Sequence, residues 1–202
     1  MNHIFYIMGK SSSGKDTIYK KLLESEELLP LVLYTTRPMR ENEQEGREYH
    51  FTDRQGFEKK LAEGKVIEER TYNTVYGKWT YFTCSDSIDL SRGNYLGIGT
   101  LESYVKLRAF FGSSCVVPVY IEVDDGIRLI RAVEREMREE KPKYTELCRR
   151  FIADSEDFSE EKLKEAGIER RFSNSSVFEE CFSEADEYIR TILKNNHSEV
   201  KK

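Results

Sequence analysis

Residues 9–15 read Gly9-Lys10-Ser11-Ser12-Ser13-Gly14-Lys15. The run before them, Ile4 to Met8, is short, apolar and partly β-branched, which predicts a buried strand. The run after them is helix-forming from Asp16 to about Leu28. Strand, glycine loop and helix in that order is the arrangement in which backbone N–H groups converge on oxyanions, with the positive end of the helix dipole behind them. Gly9, Ser11, Ser12, Ser13 and Gly14 are therefore candidates for holding nucleotide phosphates, and Lys15 for reaching the β- and γ-phosphates. Asp16 stands where Ser or Thr usually supplies a magnesium ligand, and Thr17 follows it. Asp16 is a hard oxygen donor able to hold Mg²⁺ directly or through water, and equally able to cap the helix.

Working outward, Leu31 to Thr36 reads as a second buried strand, closed by Arg37-Pro38 because the residue before proline avoids helical geometry. Met39 to Glu48 is a polar loop. Thr52 or Asp53 can cap a helix running to Ala62 with Gly64 as its stop. Val66–Tyr72 and Tyr76–Cys84 read as a strand pair turned at Asn73-Thr74. Alternation then resumes: strand Tyr95–Gly99, helix Leu101–Phe111, strand Val116–Val123 and a helix from near Asp124, as in a mainly parallel sheet. From Arg128 to Arg150 two charged helices meet at Lys141-Pro142. Ile168–Phe172 is a candidate last strand, Val177–Leu193 a closing amphipathic helix, and Lys194–Lys202 a frayed polar tail.

The predicted architecture is a three-layer α/β domain with a parallel core (1–36, 85–127, 158–194), a small α+β insertion (37–84), a helical lid (128–157) and a tail (195–202). At 202 residues with 38% hydrophobic content the chain can bury one substantial core. Its 32 Lys and Arg against 37 Asp and Glu give a net charge of -5, without the broad basic surface that nucleic acid requires. The four cysteines fall in no metal or redox spacing. The N-terminal run reads as a strand and not as a signal peptide, and no stretch approaches the ~20 apolar residues of a membrane span, so a cytoplasmic protein is expected. The sequence is silent on oligomeric state.

Beyond the glycine loop come Thr35-Thr36-Arg37-Pro38-Met39-Arg40, Gly46-Arg47-Glu48-Tyr49-His50-Phe51, Val66-Ile67-Glu68, Tyr76-Gly77, the pair Arg131 and Arg135, and Arg150. In this order the chain resembles guanylate kinases over roughly residues 4–190. The resemblance implies a P-loop fold, ATP and Mg²⁺, and phosphoryl transfer to GMP or dGMP. Thr36, Arg37, Arg40, Tyr49 and Tyr76 would bind the acceptor, its phosphate held by the two arginines and two tyrosines. Two guanidinium forks and two phenols can satisfy a dianionic phosphate more fully than a lone lysine. Glu68 would read guanine through two donors that adenine lacks on that edge. Arg131, Arg135 and Arg150 would carry transition-state charge from the lid, and Asn174 would lie beside the adenine.

Three departures stand out. The family's strand acids are Gly97 and Gly99 here, leaving Glu102, Asp16 or water to substitute. A serine before Thr-Thr-Arg is Leu33, and the Ser or Thr after Tyr-Gly is Lys78. A related kinase acting on a small phosphate such as ribose 1,5-bisphosphate also resembles the chain, in its Gly-Lys-Asp loop and its missing acids. A guanylate-kinase-like binding module shares the fold but has no need of Lys15.

Overall fold

The computed structural model of the chain describes residues 1–74 and 77–199. Strand β1 (Ile4–Met8) is buried along its whole length and lies at the centre of a five-stranded sheet. β7 (Tyr95–Gly99) and β8 (Val116–Glu122) flank it, β2 (Leu29–Pro30) pairs with β7, and β9 (Arg171–Ser173) with β8. Every pairing in this sheet is parallel. Parallel strands need crossovers, and helices supply them on both faces, which is why these strands are apolar on both sides.

One face packs Phe5, Ile7 and Leu96 against α1 (Lys15–Ser25) and α7 (Phe178–Glu199), through Ile18, Leu22, Ala185 and Ile189. The other packs Tyr6, Met8 and Tyr120 against α3 (Leu101–Phe111) and α6 (Glu160–Glu165), through Leu101, Tyr104, Leu107 and Leu163. Each large side chain buried in these layers contributes about 1.5–3 kcal/mol, and the two layers fix β1 and the loop that leaves it.

A second sheet runs β4-β3-β6-β5, from β3 (Tyr34–Thr35), β4 (His50–Phe51), β5 (Val66–Thr74) and β6 (Gly77–Cys84). The helix α2 (Arg54–Ala62) buries Phe57 against it, capped by the Asp53 carboxylate accepting from Gly56 N–H. The region expected to form the lid holds α4 (Asp125–Met137), capped by Asp124, and α5 (Tyr144–Asp157).

Several boundaries differ from expectation. The strand expected over 31–36 is a crossing between sheets: Leu31 still bonds Leu96 at the core edge, whereas Tyr34 and Thr35 already pair in the second sheet. Helix α1 stops at Ser25, because Glu26 turns extended. Asn73 and Thr74 do not turn the hairpin; they pair with Lys78 and Gly77 as part of β5. The last strand forms only at Arg171–Ser173, after a short helix, α6, that was not anticipated. Residues 195–199 of the supposed tail continue helix α7, where Lys194-Asn195-Asn196 holds no helix breaker strong enough to stop it.

Candidate active site

The phosphate loop starts where β1 ends. Gly14 has φ +84°, the left-handed conformation that glycine adopts without strain, and it places Thr17 and Ile18 N–H on its own carbonyl to start α1. A side chain at Gly14 would also strike the Asn174 amide at 2.5 Å. Asn174 is buried beneath the loop, where its Nδ2 donates to the Ser13 carbonyl at 2.8 Å. Asn174 thereby braces the loop, its Nδ2 committed to the loop backbone. Arg131 reinforces that brace by donating from Nη1 to the Asn174 carbonyl at 2.9 Å.

Lys15 and Asp16 open onto a cleft of about 480 Å³, together with Gly9 and Ser11. The Lys15 Nζ lies 3.7 Å from the Asp16 carboxylate, which is 79% exposed and free to take a cation. Thr17, the other metal candidate, is on the exposed first turn of α1 and is not among the cleft's lining residues. Among the described residues no three His, Cys, Asp or Glu cluster as a metal cage. One carboxylate beside phosphates is the donor set that suits Mg²⁺. Glu102 is not among this cleft's lining residues and pairs with Lys106 at 2.7 Å.

The lid meets the loop directly. Arg150 Nη2 donates to Ser11 Oγ at 3.0 Å, and the Asp154 carboxylate accepts from Ser11 N–H at 2.7 Å. Arg135 and Arg150 line a smaller pocket with Ser11 and Ser12. Behind them Arg128, only 1% exposed, pairs with Asp125 and Asp154 and lies 3.9 Å from the Phe151 ring centroid. Charge density along 128–150 does not distinguish Arg128 from its solvated neighbours, so its buried role was not legible. Arg149, paired with Glu146, also lines the cleft and was missed.

Across the cleft stand Tyr49, Arg70, Tyr72 and Tyr81. Of the acceptor residues expected here, Tyr49 lines the cleft. Arg37 is 3% exposed and its guanidinium is engaged by Glu43 at 2.6 Å and the Pro38 carbonyl at 2.8 Å, behind the rings of Tyr49 and Phe51. The Glu43 hydrogen bond raises the Arg37 pKa, and Arg37 correspondingly lowers that of Glu43. Arg40 is exposed outside the cleft. Thr36 uses its hydroxyl to accept from Thr80 N–H within the sheet. Tyr76 lies outside the described residues. Burial raises the Tyr49 pKa and keeps it a neutral donor.

Glu68 departs furthest from expectation. Its side chain is 1% exposed, and it accepts from Thr83 Oγ1 at 2.7 Å and Ser103 Oγ at 3.2 Å while pairing with Arg70 Nε at 3.2 Å. Both carboxylate oxygens are engaged inside the protein.

A central parallel sheet with a glycine loop between β1 and α1, and with helices on both faces, is the P-loop NTPase fold. A solved guanylate kinase structure from Anaplasma phagocytophilum shares it, with a TM-score of 0.61 at 19% identity over 96% of this chain and 86% of that one. The guanylate kinase family model matches residues 1–87. Guanylate kinase from Thiobacillus denitrificans is 40% identical over 76 residues, 37% of this chain and 36% of its own. That from Nitrosospira multiformis is 37% identical over 92 residues, 43% and 44% of the two chains. The family-model similarity to guanylate kinases lies within the first 87 residues. The aligned stretches span less than half the length of these curated relatives. No helix among the described residues is long and apolar enough to cross a membrane.

Proposed function

We propose that the chain transfers a phosphoryl group from ATP to a small phosphate-bearing acceptor, with GMP or dGMP the first to test. The observation that carries this reading is the convergence on one cleft of Lys15 and Asp16 at the phosphate loop, of Arg70 with Tyr49, Tyr72 and Tyr81 opposite, and of Arg149 and Arg150 beside Asp154 and Asp157 on the lid. Phosphoryl transfer demands positioning and charge neutralisation more than covalent chemistry, and this cleft is built for both. Lys15 reaches the β/γ-phosphates, while Arg135 and Arg150 bring charge from the lid. Arg131 steadies the loop through Asn174. Magnesium, held by Asp16 with the phosphates, would supply further neutralisation when bound. The lid's contacts with Ser11 help exclude water that would otherwise hydrolyse the donor. Similarity to guanylate kinases favours GMP, and the four free cysteines suit a reducing cytoplasm.

A second acceptor, another small phosphate such as ribose 1,5-bisphosphate, is favoured by the sealed carboxylate of Glu68. The binding-module alternative is disfavoured by the intact loop and by Lys15 facing the cleft. The test is ADP formation from ATP and Mg²⁺ with GMP, dGMP, AMP, CMP, UMP or ribose 1,5-bisphosphate, against a control without acceptor. Turnover with a guanine nucleotide alone supports the first acceptor, turnover with the bisphosphate alone the second. No turnover with any of them sinks the kinase reading.

A further inference from the structure

Tyr6 points from β1 across β7, and its ring fills the space over Gly97 and Gly99. A Cβ at Gly97 would sit 2.7 Å from the Tyr6 ring, and one at Gly99 only 2.1 Å from the Tyr6 hydroxyl. An aspartate at either position is therefore incompatible with Tyr6, and the phenol takes over the floor that strand acids would occupy. Its hydroxyl is fully buried without a hydrogen-bond partner of good geometry. Burial, and secondarily the Glu68 carboxylate, push its pKa upward, so it remains neutral.

Beside this floor Glu68 is locked by Thr83 and Ser103, and its remaining contact is Arg70. Arg70 is 15% exposed, and its Nε lies near the carboxylate without the alignment of a hydrogen bond. Among the described residues no other carboxylate pairs with it. Its neighbours in the cleft are Tyr49, Tyr72 and Tyr81, opposite Lys15. Burial is the largest single influence and lowers the Arg70 pKa, but the Glu68 charge together with Tyr6, Tyr72 and Tyr49 outweighs it, so the net shift is upward and the guanidinium stays protonated.

We infer that Arg70 is the residue that binds the acceptor's anionic group, and that Glu68 is its anchor and not a reader of the acceptor's base. The inference rests on the proposed phosphoryl transfer, and it places acceptor recognition on β5 in a guanidinium held from behind by a buried carboxylate. A guanidinium drawn by charge toward a buried carboxylate on its Nε edge keeps its outer Nη edge for a phosphate, with the tyrosine hydroxyls as additional donors. With Arg37 committed to Glu43, Arg70 supplies the cation that the acceptor requires. Selection among acceptors then follows the placement of the phosphate and the shape of the tyrosine wall, and discrimination of guanine from adenine does not pass through Glu68.

The test uses Arg70→Met, Arg70→Lys, Glu68→Gln and the double variant Arg70→Met/Glu68→Gln, in the full chain. Steady-state kinetics are run with whichever acceptor supports turnover, and binding is measured by calorimetry with GMP and with ribose 1,5-bisphosphate in the absence of donor. ATP binding checks that each variant is folded, and Arg70→Lys preserves a charge beside Glu68. Arg70→Met should raise the acceptor KM or Kd at least tenfold and leave ATP affinity within twofold. Glu68→Gln should weaken all acceptors alike, and the double variant should be no worse than Arg70→Met alone, the signature of one residue acting through another. An acceptor affinity unchanged in Arg70→Met, or a GMP-to-AMP preference moved more than tenfold by Glu68→Gln, overturns the inference. If the native chain binds GMP or the bisphosphate without turning it over, the kinase reading fails, whereas a loss of that binding in Arg70→Met still supports Arg70. A native chain that binds ATP but none of the acceptors overturns both.

Discussion

The Asp154 carboxylate accepts a hydrogen bond from the Ser11 backbone N–H at 2.7 Å, so a lid side chain sits on a donor of the phosphate loop. The same oxygen is 3.2 Å from Arg128 Nη1. A negative charge at this position competes with a nucleotide phosphate for the loop's field, and it also serves as one of two counterions for a buried guanidinium.

Asp154→Asn should therefore separate these two roles. Removing the charge should tighten ATP binding, by roughly three- to tenfold, since ~1.4 kcal/mol is a factor of ten. It should also lower stability by about 1–3 kcal/mol, less than the loss on breaking a fully buried pair, because Arg128 keeps Asp125. Calorimetric titration with ATP and urea unfolding report the two effects. Weaker ATP binding in a folded variant would contradict the competition.

Among the described residues Lys15 has a single ion-pair partner, Asp16 at 3.7 Å, and it faces the cleft. Lys15→Met should consequently leave the unfolding midpoint within about 1 kcal/mol of native, as for other pairs near the surface. It should lower kcat/KM by at least a hundredfold in the ADP-release assay, consistent with the loss of a charge-stabilising donor. Turnover within about twofold of native would remove the lysine from the chemistry.

The phosphate loop, the central strands and the lid's two helices were legible because each has a local signature: glycines at fixed spacing, apolar runs, and a Lys-Pro break. The site's far wall was not. Arg70 sits in a stretch, Glu68-Glu69-Arg70-Thr71, that reads as solvated charge, and only the pairing of β5 with β6 and α3 reveals that Glu68 faces inward. The pairing of Arg37 was hidden for a related reason, since its partner Glu43 lies in a loop whose fold no periodicity announces. The meaning of Gly97 and Gly99 depended on Tyr6, a residue more than ninety positions away that is adjacent only through strand pairing.

That adjacency is testable by coupling. Gly99→Ala places a Cβ 2.1 Å from the Tyr6 hydroxyl, a contact that the packed floor cannot absorb without movement. It should cost about 1–3 kcal/mol, the range for overpacking. In a Tyr6→Phe background, which deletes the colliding oxygen, the same substitution should cost at least about 0.5–1 kcal/mol less. Equal costs in both backgrounds, measured by chemical unfolding, would mean that Tyr6 does not occupy that space.

Thiol reactivity tests the packing of both sheets at once. Burial pushes the thiols of Cys84 and Cys181 up to about 11 and raises that of Cys115, while Cys148 is exposed on α5. A raised thiol pKa means less thiolate near neutrality, and the thiolate is the reactive form. Native protein at pH 8 should therefore react with a disulfide reagent at one fast site, abolished by Cys148→Ser, with the other three thiols released only on unfolding. The sign of the pH effect on stability follows from the same shifts: the neutral buried thiols contribute fully below pH about 9, their unfolded value, and that contribution is lost as pH rises toward about 11. Fast labelling of Cys84 or Cys181 in the folded chain would show that the sheet they pack against opens on the timescale of the reaction.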